Sequence, residues 1–284
     1  MMNATLIDFP ARLPSAGELM ERALEPHLLV GMPHLNAHGL SETWLMKELG
    51  HRHWLMLARH LGMGDADFRT PDGTAAYAAI CATSLRQARL GTVRANDVLA
   101  IRSFLAPVSR SQVMSLHKIA CGEQPVAEVE LISTFVRRDR TDDNHSLVRV
   151  ERTGNPLTGT ACCALAETAA ALRRGSVDRY LGMDLEAGAP SPRFRFTPSI
   201  SEEFNGAGLF YFAEFQAMCT RALDAWHPDA AHSVSRRDVF FSGNLRPAEP
   251  VSVVLVAGDR QSEGIACRID RTDGATIGRM FALR

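Results

Sequence analysis

The sequence predicts an α+β protein built of two similar halves, each a long apolar helix followed by consecutive antiparallel strands. Three observations carry that prediction. Asn36-Ala37-His38-Gly39-Leu40 and Asn205-Gly206-Ala207-Gly208-Leu209 share the order N-x-x-G-L just before a helical stretch, at an offset of 169 residues (205 minus 36). Each helical stretch leads into segments rich in β-branched and aromatic residues and bounded by Gly, Pro and Asp. At 284 residues and 46% hydrophobic side chains, the chain can bury a substantial core and is long enough for two units.

The elements follow in order. Ser41 is placed to cap a helix over 41–61, in which Trp44, Leu45, Leu49, Met56, Leu57 and Leu61 recur near whole helical turns, the spacing of a helix buried on a broad face. A turn-rich segment, 62–73, then leads to strands over 75–83, 98–105, 113–119 and 126–136. Residues 138–192 turn polar, pass a strand-like 147–150 and an alanine-rich helix near 164–173, and read as a structured crossover. In the second half, 204–215 leads into a helix ending near Trp226, where His227-Pro228 supplies the stop. Strands over 239–241, 251–257, 264–269 and 276–283 complete it. The units are therefore 1–137 and 193–284, with the crossover at 138–192. An apolar helix must be covered, and a curved antiparallel sheet wrapped around each would cover it.

Composition narrows the function classes. The 31 basic and 32 acidic side chains nearly cancel, and basic residues cluster only in pairs such as Arg137-Arg138, Arg173-Arg174 and Arg236-Arg237. A nucleic-acid partner is not expected. The N-terminus has no basic region followed by an apolar one, and no uncharged stretch reaches the roughly 18 residues of a membrane helix, so a cytoplasmic protein without a membrane partner is expected. Six cysteines without C-x-x-C spacing read as free, mostly buried thiols, and neither a metal cluster nor a nucleotide fingerprint is visible.

The candidate residues lie at the helix starts. Backbone N–H groups opening a helix favour an anion, so the loops 36–40 and 205–209 are placed to stabilise negative charge, with Gly39 and Gly208 allowing close approach. Asn36 and Asn205 would then touch a ligand; equally, asparagine there caps and turns the chain. His34 and His38 flank Asn36 and can serve as acid, base or carboxylate partner. Glu42 and Glu214 sit in the opening turns of the helices, where a carboxylate either complements the dipole or activates water.

The N-x-x-G-L loop into a buried helix, followed by a strand reached through a turn such as Gly243-Asn244-Leu245-Arg246-Pro247, resembles the hot-dog fold of acyl-thioester enzymes. More narrowly, Gly31-Met32-Pro33-His34-Leu35 with Gly39-Leu40-Ser41-Glu42-Thr43-Trp44, and residues 204–213, resemble the LnmK-type biosynthetic proteins, double hot-dog acyltransferase/decarboxylases of polyketide pathways. That resemblance implies two antiparallel sheets, each around a long central helix. It implies an enzyme that decarboxylates a (methyl)malonyl-CoA and transfers the acyl group to an acyl carrier protein, with no cofactor beyond the thioesters. Its tyrosine nucleophile falls on Tyr77, and the substrate would be held by His34, Asn36, His38, Gly39, Asn205, Gly206 and Gly208. The alternatives are a hot-dog thioesterase or dehydratase working through Glu42, Glu214 or the two histidines, and a non-catalytic acyl-thioester binding module.

Overall fold

The computed structural model describes residues 12–150, 161–186, 188, 191–226, 234–258 and 262–284. In chain order the elements are α1 (Ala16–Ala23), β1 (His27–Leu29), β2 (Leu35–Asn36), β3 (Gly39–Leu40), α2 (Glu42–His60), β4 (Tyr77–Arg86), β5 (Val98–Pro107), β6 (Gln112–Cys121) and β7 (Gln124–Arg138). There follow β8 (Leu147–Arg149), α3 (Ala164–Arg174), β9 (Arg179–Tyr180), β10 (Met183–Asp184), β11 (Arg193–Phe196), α4 (Phe212–Trp226), β12 (Arg236–Phe241), β13 (Val251–Ala257), β14 (Gly264–Arg271) and β15 (Thr276–Leu283). No helix among the described residues is long and apolar enough to cross a membrane.

The expectation of two sheets is corrected. Eleven of the strands form one antiparallel sheet, in the order β1-β5-β6-β7-β4-β12-β15-β14-β13-β11 with β8 on β7, while β2 with β3 and β9 with β10 make two small separate pairs. The join is a short seam in which Ala82–Leu85 of β4 pairs with Arg237–Phe240 of β12. Two half-sheets that expose compatible edges gain backbone hydrogen bonds by merging, and each removes the other's open edge.

Each long helix packs on its own half-sheet. Leu45, Met46 and Leu49 of α2 join Leu99, Ile101, Ile119 and Leu131, while Phe215, Met218 and Leu223 of α4 join Val253, Ile269 and Met280. Ser41 caps α2 as its sequence position suggests, its Oγ accepting from Trp44 N at 3.3 Å. The helices meet through Gly50, where a Cβ would stand 2.6 Å from the Phe212 ring. On the opposite face of the sheet, α3 lies across the seam: Leu165, Ala166 and Ala169 share a cluster with Cys81 and Ile132 from one half and Phe240 and Phe281 from the other.

All six cysteines are free, with Cys81, Cys163, Cys219 and Cys267 buried and Cys162 exposed. The vicinal pair lies on no strand. Cys163 is the N-cap of α3; its Sγ accepts from Ala166 N at 3.4 Å and donates to Glu130 Oε1 at 2.9 Å, and burial pushes the thiol up to about 12.

Candidate functional site

The seam spans four residue pairs, and just past one end of it Ala88 N donates to Ser235 O at 2.9 Å. At one end, between 88–92 and 234–237, lies a cleft of about 1030 Å³. At the other, between 79–81 and 241–244, lies a cavity of about 320 Å³. The two share no lining residue.

The sequence reading gathered its candidates into one site; the structure separates them, and His34, Gly39, Tyr77, Gly206 and Gly208 line neither pocket. Asn36 and His38 line the cleft; Asn205 lines the cavity. Both loops are tight turns held by their own asparagines. Asn36 Oδ1 accepts from His38 N at 2.8 Å, and Asn205 Oδ1 accepts from Ala207 N and Leu209 N, both at 3.0 Å. Gly39, at φ +121°, does not make room for a ligand: a Cβ there would stand 2.4 Å from Leu90 O, so the glycine lets the loop press on the turn after β4. Gly208, at φ +67°, serves the turn, and its carbonyl accepts from Asn144 Nδ2 at 2.7 Å. Around Gly206 the space is open. His34 belongs to neither pocket lining; its Nδ1 accepts from Gly31 N at 2.9 Å and its ring lies 4.5 Å from that of Trp44, a packing role.

Tyr77 opens β4 and is not itself a lining residue of the cavity. Its cross-strand partner Val136 lines the cavity, as do Ala79 and Cys81 further along its own strand. Arg138, two residues beyond Val136, donates to the Tyr77 hydroxyl at 3.1 Å and to the Ala207 carbonyl at 2.6 Å, and its Nε donates to Asn144 Oδ1 at 2.9 Å. Among the described residues Arg138 is the hydrogen-bonding partner of that hydroxyl. One guanidinium thus ties the tyrosine to the loop that opens α4. Negative charge developing on the phenol oxygen would lie beside a fixed cation.

The cavity between them is mostly apolar, walled by Trp54, Ile80, Phe210, Tyr211, Phe215 and Phe241, with Asn205, Ser242 and Asn244 as polar groups and Arg149 and Arg173 among its lining. Among the described residues no Asp or Glu lines it. Cys81 occupies a β-bulge in β4, where the register against β7 shifts, and burial raises its thiol.

The cleft has a different chemistry. Both helix carboxylates are there, Glu214 paired with Lys47 Nζ at 2.6 Å and Glu42 with Arg237 at 2.9 Å. Arg237 is 3% exposed and also donates to Gln216 Oε1 at 2.8 Å and Thr220 Oγ1 at 3.1 Å. Burial pushes the Glu42 carboxyl up, opposed by the Arg237 guanidinium. Glu42 Oε1 and Arg237 Nε, both buried, have no hydrogen-bonding partner. Sequence reading missed Arg138, Asn144 and Arg237. Only the alternation along β7, which sets Val136 and Arg138 on one face, could have pointed to the first.

No protein-family model matches the chain, and no curated protein matches it in sequence. Solved structures do match in shape. An acyl-ACP thioesterase from Bacteroides thetaiotaomicron superposes with a TM-score of 0.63 at 10% identity, covering 90% of this chain and 95% of that one. The 12:0-ACP thioesterase from Umbellularia californica gives 0.64 at 8% identity with the same coverage, 90% and 95%. HtdX from Mycobacterium tuberculosis gives 0.53 at 11% identity over 91% of this chain and 99% of that one. At such identities the likeness is one of fold. The chain has the hot-dog fold, as an α+β protein with a large antiparallel sheet.

Proposed function

We propose that the chain is a double hot-dog enzyme of acyl thioesters, of the LnmK-type, which decarboxylates a (methyl)malonyl-CoA and passes the acyl group to an acyl carrier protein. The observation that carries this reading is an apolar cavity with no carboxylate among the described residues of its lining, together with Tyr77, which opens the strand that lines it and whose hydroxyl is bound by Arg138. Hydrolysis by a helix carboxylate needs a carboxylate at the thioester; acyl transfer through a tyrosine does not. In the reading, the phenol oxygen attacks the thioester carbonyl, coenzyme A leaves as thiol, and a tyrosyl ester forms. Loss of carbon dioxide leaves an enolate that takes up a proton at carbon, and the carrier thiol then displaces the phenol. Arg138 stabilises charge on the phenol oxygen when it attacks and when it leaves.

The solved structures of similar shape include proteins named for acyl-ACP thioesters, which supports the substrate class. A second reading, a thioesterase or dehydratase, is favoured by one observation: the buried Glu42 carboxyl, raised by burial, in the cleft at the other end of the seam. Intact-protein mass spectrometry after incubation with methylmalonyl-CoA separates them. A mass gain of the decarboxylated acyl group, absent in Tyr77→Phe, supports the tyrosyl enzyme; free acid released without adduct in either protein supports the hydrolase.

A further inference from the structure

We infer that Asn144 is a positioning residue for the tyrosyl reaction: it aims the Arg138 guanidinium at the Tyr77 hydroxyl and leaves its charge intact. The inference rests on the acyl-transfer reading for the reaction and on the bonds of Asn144 for its place.

Asn144 is 3% exposed, and its amide is bonded on both sides. Oδ1 accepts from Arg138 Nε at 2.9 Å, while Nδ2 donates to Gly208 O and to Leu245 O, both at 2.7 Å. One side chain thus joins the end of β7 to the loop that opens α4 and to the loop after β12. The turn that carries it is braced from within: Asp143 accepts from His145 N at 3.0 Å and pairs with Arg140 at 2.7 Å, and Ser146 Oγ accepts from Arg140 N at 2.9 Å. It is also moored to the second half, where Asp143 meets Arg246 at 3.0 Å and His145 meets Glu249 at 2.7 Å. Asn144 is therefore held from several sides.

Arginine, by contrast, is long and rich in rotamers, and only outside bonds decide where its planar fork points. Asn144 holds Nε and the Ala207 carbonyl holds Nη2, which directs Nη1 at the tyrosine, 3.1 Å from its oxygen. The amide matters as well as the position. A carboxylate at 144 would also accept from Nε, yet it would offset the charge beside the phenol oxygen and set an acceptor against the two carbonyls. Among the described residues the guanidinium of Arg138 bonds only to neutral groups, Asn144, Tyr77 and Ala207.

The test has two arms on the full chain. The first follows adduct formation from methylmalonyl-CoA by rapid-quench intact-protein mass spectrometry. Asn144→Ala should lower the maximal rate about 10–10²-fold while the half-saturating thioester concentration changes less than about twofold. In an Arg138→Met background the same substitution should change nothing further, because its effect passes through that arginine. Asn144→Asp, nearly the same shape, should also be slow, and it repeats the test should Asn144→Ala not fold. Equal losses in both backgrounds, or a folded variant at full rate, overturn the inference.

The second arm needs no turnover. In protein carrying isotope-labelled arginine, the Nε–H signal of Arg138, assigned by its loss in Arg138→Met, should shift on Tyr77→Phe. In Asn144→Ala that response to Tyr77→Phe should vanish; a response of the same size overturns the positioning. A wild type that forms no adduct overturns the tyrosyl reading, and the NMR comparison then decides by itself whether Asn144 sets Arg138.

Discussion

His53 and His117 share one hydroxyl: Ser115 Oγ lies 2.7 Å from His53 Nδ1 and 2.9 Å from His117 Nε2, in a core where all three side chains are fully buried. The chain continues to Ser133, 2.7 Å from His53 Nε2, and to Ser103, 2.8 Å from His117 Nδ1. A neutral imidazole offers one donor and one acceptor, so the five side chains are all satisfied when their protons point the same way along the chain. Burial holds His53 down to about 4 and His117 to about 3. The unfolded chain, with histidines near 6.5, therefore binds protons that the folded chain refuses. Stability is complete above about pH 6.5 and falls as the pH drops toward about 4, by up to ~1.4 kcal/mol per pH unit for each histidine. Urea midpoints measured at pH 7, 6, 5 and 4.5 should decline steadily; a constant midpoint across that range contradicts the assignment.

Tyr77→Phe should abolish the acyl adduct and leave the thermal midpoint nearly unchanged, since the hydroxyl accepts one bond from a half-buried arginine. Arg138→Met should do more. It removes bonds to Tyr77, Asn144 and Ala207 at once, so acyl transfer should fall about 10²–10³-fold and stability by about 1–3 kcal/mol. A variant that melts like wild type and transfers at full rate would show that Arg138 does neither.

Gly50→Ala sets two effects against each other. Alanine is the better helix former by about 1 kcal/mol, yet its methyl would stand 2.6 Å from Phe212, a core ring held by packing on both sides. Overpacking of this kind costs about 1–3 kcal/mol, so the balance should be destabilising. Differential scanning calorimetry gives the sign; a higher midpoint would mean that α2 and α4 separate at little cost.

Cys162 and Cys163 are neighbours in sequence and opposites in reactivity. Iodoacetamide on the native protein at pH 7.5 should label exposed Cys162 and spare Cys163, whose thiol is buried against Glu130 and pushed up to about 12. Peptide mapping resolves the two. Cys163→Ala should cost roughly 0.5–2 kcal/mol as a lost helix cap.

What the sequence disclosed depended on whether the signal was local. The start of α2 was legible because Ser41 stands directly before a periodic apolar run, and the strands of each half because β-branched residues alternate between turns. The joining of the two half-sheets was not, since it depends on the pairing of Val239 with Thr83, and edges carry no pattern that names their partner. The candidate site failed for the same reason. Asn36 and Asn205 share a sequence pattern, yet they lie at pockets on opposite ends of the seam, which no local pattern discloses. Arg138 was hidden in a polar run that read as the start of the crossover, and the His53 chain is spread over α2, β5, β6 and β7, so no window of sequence contains it.

The seam between β4 and β12 also decides what a broken chain would do. Cut within the crossover, each half would keep its seam strand on one neighbour and present its other side as an open edge, Ala82–Leu85 on one piece and Arg237–Phe240 on the other, with an apolar outer face that α3 no longer bridges. Such a strand adds to any suitable edge it meets, so separated halves would pair with copies of themselves or precipitate. Fusion makes that choice intramolecular. The tether holds the right edge at an effective concentration that no free fragment in dilute solution can match, and the price of heterogeneous pairing is removed at synthesis.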